Sequence, residues 1–373
     1  MRPLNWPRFK FKSCLFALIS VGLGFGIALL LLEIFFRFMP IAEDFNTLPV
    51  NDENPTIRSQ PNQTLTWSRN WNFSIVNTIK INNYGFVNDH DYDPDATTPL
   101  LAVVGDSYVE AVMVPFEETI QGRLWKEVEP DGRVYSFAIS GAPLSQYLEF
   151  ARFARKEFKP DGYVFVVVGN DFDESISKYK CAEGYHHFFE TDDGYELRRV
   201  DYTPSFRGKI LRSSALGIYL FANLQAPSRL NRLSFKRQKQ QFVGNVKAKV
   251  SEQRLTDSKK AGVFFLDVLP QYTGVEPSQV VFVLDGIRPP LYNPEELKKV
   301  EDSYWGQMRN FFVQEATSRG YEVIDMQPVF IESHENTGAR FESPEDCHWN
   351  GTGHGVAAEA VRKSKVFAWI FGE

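Results

Sequence analysis

The stretch Leu100–Glu110, reading Leu-Leu-Ala-Val-Val-Gly-Asp-Ser-Tyr-Val-Glu, constrains this chain more than any other. Its unbroken apolar run into Gly105 is the pattern of a strand buried on both faces of a parallel sheet. Gly105 permits a sharp turn where a side chain would clash. Asp106 and Ser107 then fall at the C-terminal end of that strand, where open α/β sheets place their ligands. A serine in that position is a candidate nucleophile. To react at neutral pH it needs a base, an orienting acid and an oxyanion hole.

Strand and helix patterns alternate from Pro99 onward. A strand over Leu100–Val104 precedes a helical pattern over Thr119–Glu127. A strand over Val134–Ile139 runs into Ser140-Gly141-Ala142-Pro143, and an amphipathic helix over Leu144–Glu157 is closed by Lys159-Pro160. A further buried strand, Tyr163–Val168, ends in Gly169-Asn170-Asp171. This order predicts an α/β fold with parallel pairing and right-handed crossovers. Residues 172–277 interrupt it. Within them Ile210–Leu224 has an amphipathic pattern, and Arg229–Lys239 carries five basic residues, read as a solvated helix face or a contact for anionic lipid or an acidic glycan. Val280–Leu284 resumes the strands, followed by a long helix over Pro294–Arg319, a strand from Glu322–Ile324 and a closing helix within Asn350–Phe371.

The N-terminal region sets location. Residues 1–12 contain Arg2, Arg8, Lys10 and Lys12 and no acid, and Ser13–Leu32 has no charge. About 20 such residues span the ~30 Å hydrocarbon core. The basic flank predicts a cytoplasmic N-terminus with the rest of the chain outside. A cleaved signal peptide is the alternative, but the bulky Leu30–Phe38 stretch lacks a small-x-small cleavage site. The expected organisation is a cytoplasmic tail (1–12), a transmembrane anchor (13–39), a polar linker with short strands such as Asn72–Ile81 (40–98), and a catalytic domain (99–373) with an insertion at 172–277. The net charge of -6 argues against a nucleic-acid partner. The three cysteines have no zinc spacing, so neither a metal nor another cofactor is expected.

Among the six histidines, His348 stands out, after the last strand and before the last helix, in Pro344-Glu345-Asp346-Cys347-His348-Trp349. Asp346, two residues upstream, is placed to orient its imidazole. The N–H of Ser107, the N–H of Gly141 and the side-chain amide of Asn170 are candidate oxyanion donors, each at the end of a strand.

Gly105-Asp106-Ser107, Gly141, Asn170-Asp171 and Asp346…His348 resemble the four blocks of the SGNH (GDSL-type) hydrolase superfamily over roughly Leu100–Phe371. The anchor and Asn83-Tyr84-Gly85-Phe86 resemble its membrane-anchored bacterial members. The resemblance implies a flavodoxin-like three-layer α/β/α fold, with Ser107 as nucleophile, His348 as base, Asp346 as orienting acid and Asp106 as structural. It implies an oxyanion hole of Ser107, Gly141 and Asn170. The last block is Asp-x-His where many members have Asp-x-x-His, so Glu345 stays open as the orienting acid. The Gly-x-Ser-x-Gly elbow of the α/β-hydrolases is absent from the sequence.

The expected function is a membrane-anchored serine esterase facing the periplasm or cell exterior. It would cleave acyl, chiefly acetyl, esters on a cell-envelope glycan or lipid through an acyl-Ser107 intermediate. An O-acetyltransferase acting on a cell-surface polysaccharide with the same triad is the first alternative. A non-catalytic glycan-binding or assembly factor is the second. Outside the cytoplasm Cys181 and Cys347 are permitted a disulfide; two unrelated thiols are the other reading.

Overall fold

The computed structural model describes residues 11–205, 208, 213–224, 242–243, 245–343 and 346–372. The side chains of residues 11–14 and 346, Glu345 and the basic stretch Arg229–Lys239 lie outside that description.

Five parallel strands build the central sheet in the spatial order Arg133–Ala138, Leu100–Gly105, Gly162–Val167, Val280–Leu284, Glu322–Asp325. Counted along the chain this is the flavodoxin-like doubly wound order, which reverses direction between the first and third strands. Alternation within each strand divides the side chains between two layers. Leu101, Val103, Val164, Val166, Val281 and Val283 face the layer of helices Ile120–Val128, Met326–Thr337, Gly351–Arg362 and Lys365–Phe371. Ala102, Val104, Phe137, Phe165, Val167 and Phe282 face helices Leu144–Phe158, Glu252–Thr273 and Tyr304–Ser318. The three-layer α/β/α expectation is therefore met, and the apolar runs are explained by burial on both faces.

Several expected boundaries move. Helix Glu252–Thr273 is the crossover between the third and fourth strands and belongs to the core, so the insertion ends before it. Its inner face, Ala261, Phe265, Leu266 and Leu269, is buried, but its lysines and Pro270 mask that stripe in the sequence. The long helix over Pro294–Arg319 is two helices, Pro294–Val300 and Tyr304–Ser318. The Ser303 hydroxyl accepts from the Gly306 N–H at 3.3 Å and starts the second, where a Cβ at Gly306 would lie 2.1 Å from the Glu301 carbonyl oxygen. The closing helix is likewise two, with Ser364 capping Lys365–Phe371.

Residues 40–98 are packed rather than a loose linker. They contribute an antiparallel hairpin, Gln63–Arg69 with Ile75–Ile81, and bury Val50, Ile57, Phe86 and Tyr92 in the core. The Asn residues that read as linker close turns: Asn82 Oδ1 accepts from the N–H groups of Tyr84 and Phe86 at 3.0 and 3.1 Å. At the N-terminus a helix runs Phe11–Phe36, and its part Leu15–Phe36, 22 residues at mean hydropathy 2.6, is long and apolar enough to cross a membrane. Within Ile210–Leu224 the structure shows a helical turn Ala215–Ile218 continuing as a wider π turn, Tyr219–Asn223.

Candidate active site

Ser107 emerges at the mouth of the sheet, beside the point where strand order reverses. Every residue of the Leu100–Gly105 strand is buried. Position 105 admits only glycine because a Cβ there would lie 2.4 Å from Val109 Cγ2. Asp106 caps the short helix Ser107–Glu110: its Oδ1 accepts from the Tyr108 N–H at 2.9 Å. Its Oδ2 lies 3.3 Å from Ser107 Oγ, a second and longer direction for the single hydroxyl proton.

The base arrives from the far end of the chain. His348 lies in the strand Asp346–Trp349, which pairs with Glu342–Ser343. Its Nε2 is 2.7 Å from Ser107 Oγ, the separation a general base needs to take the hydroxyl proton. The imidazole is held by a brace that sequence reasoning missed. The Tyr108 hydroxyl donates to the Cys347 carbonyl at 3.1 Å and accepts from Arg288 Nη2 at 3.1 Å. Arg288 grips Asp285 with two bonds of 2.7 and 3.1 Å, and Asp285 Oδ1 accepts from the Trp349 indole at 2.8 Å. The Asp285–Arg288 pair is buried. Residues on both sides of His348 are thus tied to one ion pair. The available signal was that Asp285 directly follows the buried strand Val280–Leu284, as Asp106 follows its own.

On the other flank of Ser107, Glu110 reaches the Ser140-Gly141 loop, its Oε2 accepting from the Ser140 N–H at 2.8 Å and from the Ser140 hydroxyl. Gly141 has φ +82°, a left-handed conformation that favours glycine. Its carbonyl accepts from Lys180 Nζ at 3.1 Å, and Lys180 also pairs with Glu174. The Asn170 amide donates to Glu174 Oε2 at 3.2 Å, and its oxygen accepts from Asn245. Asp171 folds this loop, accepting from the Val168 N–H at 2.8 Å and the Tyr147 hydroxyl at 3.0 Å.

Of the sequence-predicted residues, then, the structure brings Ser107 and His348 into contact. Gly141 and Asn170 sit at the ends of the strands flanking Ser107, with the Asn170 amide turned to Glu174. Asp346 starts the strand that carries His348; its side chain, like Glu345, lies outside the described residues. Of the other histidines, His354 is buried, its Nδ1 accepting from the Ile120 N–H at 3.2 Å, and His90 stacks on Trp125.

Burial dominates the electrostatics. It pushes Asp106 up to about 6, against the pull of the Tyr108 N–H and of His348. It pushes Glu110 up to about 7 and Asp171 well above the carboxylate range. It lowers His348 below the ordinary imidazole value, while the nearby Asp106 carboxylate pulls it back up. A neutral His348 near neutral pH is the form able to accept the Ser107 proton.

The permitted disulfide is not formed: Cys181 and Cys347 are both free thiols with exposed side chains. The Cys347 backbone is pinned instead by Tyr108, so the strand is fixed without a bridge.

No family model and no curated protein matches the chain. Among solved structures it is similar to the lipase Lip_vut3 from a goat rumen metagenome, at 15% identity over 71% of this chain and 96% of that one, with a TM-score of 0.38. It is also similar to a member of the lipolytic G-D-S-L family from Veillonella parvula, at 11% identity over 72% and 98% of the two chains and a TM-score of 0.37. A third is the psychrotrophic esterase EstA from Pseudoalteromonas sp., at 11% identity over 72% and 97% and a TM-score of 0.35.

Proposed function

We propose that this protein is a membrane-anchored, extracytoplasmic serine esterase of the SGNH type. It cleaves acyl, chiefly acetyl, esters on a cell-envelope glycan or lipid. The observation that carries the reading is the 2.7 Å contact between Ser107 Oγ and His348 Nε2 at the mouth of the parallel sheet.

In this reading His348 Nε2 takes the hydroxyl proton as Ser107 Oγ attacks the ester carbonyl carbon. The oxyanion is received by the Ser107 and Gly141 N–H groups, and Asn170 joins them by turning from Glu174. His348 then protonates the departing alcohol, leaving acyl-Ser107. Water, deprotonated by His348, releases the acid and restores the serine. Asp346 orients the imidazole. A sugar hydroxyl in place of water would make the same site an O-acetyltransferase.

Fluorophosphonate labelling of the full chain, followed by turnover of acetylated glycans with and without an acceptor glycan, tests this. Wild type is expected to label, and Ser107→Ala to lose the label and on the order of 10⁶ in rate while keeping its fold. Labelling or turnover that survives in Ser107→Ala would overturn the assignment. Acetyl transfer to the acceptor in preference to water would select the transferase form.

A further inference from the structure

Glu33 is the only charged residue of the apolar segment Leu15–Phe36. A carboxylate in a membrane span demands partners. Among the described residues, three of its four partners come from the domain. Glu33 Oε1 accepts from the Ala215 N–H at 3.0 Å, and Oε2 from the Leu216 N–H at 3.0 Å and the Ser214 hydroxyl at 2.9 Å. Arg37, one turn later, completes the set at 2.9 Å. Glu33 is less than one turn from Phe36, about 5 Å along the axis. Segment 214–216 must therefore descend to the level at which the apolar helix ends.

The contacts continue around the helix. Phe36 stacks on Tyr219 at 4.0 Å between centroids. The Tyr219 hydroxyl donates to the Trp71 carbonyl at 3.0 Å, and its ring lies 5.8 Å from Phe73. Asn223 donates to Ser68 at 2.8 Å and accepts from the Ala42 N–H at 3.3 Å. The tip of the Gln63–Ile81 hairpin and the helical segment Ala215–Asn223 thus meet at the helix exit. Around this junction Phe38, Trp71 and Phe221 stand 81%, 63% and 51% exposed. Aromatic rings at the end of an apolar span, with Arg37 among them, are the composition of a headgroup-level belt.

We infer that the hairpin tip Asn70–Phe73 and the segment Ala215–Asn223 form a collar that seats the domain on the lipid headgroup layer at the exit of Leu15–Phe36. The occupant of this face is the bilayer that the helix crosses, because the face is continuous with the lipid-facing helix. The helix is then a fixed post, and the candidate active site is held at one height above the membrane, suited to an immobile envelope substrate. This inference rests on the membrane-anchored reading proposed above.

The test uses the full chain with its three native cysteines changed to serine, in vesicles of phosphatidylethanolamine and phosphatidylglycerol. Single nitroxide labels are placed at Trp71→Cys, Phe221→Cys, Leu23→Cys and Trp369→Cys. Trp369 is an exposed residue of the C-terminal helix and serves as an aqueous control. Oxygen-to-nickel-chelate accessibility ratios report depth. The ratios at 71 and 221 are expected to exceed that at 369 several-fold and to fall short of that at 23. Aqueous values at 71 and 221 with a deep value at 23 would overturn the collar alone. An aqueous value at 23 would overturn the membrane reading and the collar with it.

Discussion

Ser107 and His348 meet in one contact but are held in different ways. The nucleophile is fixed by its sequence neighbours: Gly105 makes the turn, Asp106 caps the helix and Val109 packs under the strand end. The base is fixed by Tyr108, Asp285 and Arg288, whose bonds to its strand span 239 positions at Cys347 and 64 at Trp349. A locally built group survives changes elsewhere in the fold. A group built from distant segments depends on every one of them, and its failure is expected to appear in the rate of Ser107 activation before it appears at Ser107 itself.

The strongest way to break this contrast is to remove one member of the buried ion pair. Asp285→Asn leaves Arg288 charged and buried with only the more distant Glu342 carboxylate, at 4.0 Å, to pair with, and the loss of such a buried pair costs up to about 3–5 kcal/mol. Chemical denaturation should show that loss, and fluorophosphonate labelling measured well below the unfolding transition should slow. Loss of stability with an unchanged labelling rate would show that the pair holds the fold and not the base.

Glu110 tests the nucleophile side through pH. Burial raises its carboxyl from the ordinary 4.5 to about 7, so between those values the folded state holds a proton that the unfolded state has released. Stability from this group is complete below about 4.5 and is lost as pH rises toward 7, by up to roughly 3 kcal/mol. Glu110→Gln should therefore gain on wild type as pH rises across that window, as read from denaturation midpoints on either side of it. A difference between the two proteins that is independent of pH would refute the buried protonated carboxyl.

The same contrast governs what could be read from the sequence. Apolar runs at Leu100, Tyr163 and Val280 announce strands because burial on both faces leaves no room for polar residues. Gly105-Asp106-Ser107 is legible because its meaning is local, and His348 because the sequence places it between the last strand and the last helix with an acid close upstream. The Asp285–Arg288 brace was not legible: an Asp three residues before an Arg is ordinary until Trp349 and Tyr108 are brought to it. The Asn170 amide was read from its place at a strand end, but its commitment to Glu174 and Asn245 depends on tertiary neighbours. The packed 40–98 segment was read as a linker because its turn-forming Asn residues outnumber its buried rings.

A smaller change sharpens the base side. Tyr108→Phe keeps the ring, whose centroid lies 4.9 Å from that of His348, and removes the hydroxyl that joins Arg288 to the Cys347 carbonyl. One lost buried hydroxyl costs about 1–3 kcal/mol. Because the bond positions His348 and touches no substrate in the proposed reaction, kcat should fall several-fold with KM unchanged. A rise in KM alone would place Tyr108 in substrate binding instead.

The smallest expected effect lies at Asp106, where the two sides join, since it caps the nucleophile's helix and its charge acts on the base. Asn is as good a cap as Asp, so below about pH 4, where folded and unfolded states both hold the Asp106 proton, Asp106→Asn should leave stability nearly unchanged. What it removes is the negative charge that favours protonated His348. The imidazolium is then less stable, the base becomes neutral at lower pH, and the acidic limb of the kcat/KM profile should move toward acid. In wild type Asp106, pushed up to about 6 by burial, and His348, lowered by burial, each act on the other's charge, so the limb belongs to the pair rather than to either residue. Replacing Asp106 should simplify it to a single ionisation. A limb that stays in place, or moves toward alkali, would show that Asp106 serves the helix cap alone and that nucleophile and base communicate only through the 2.7 Å contact between Ser107 and His348.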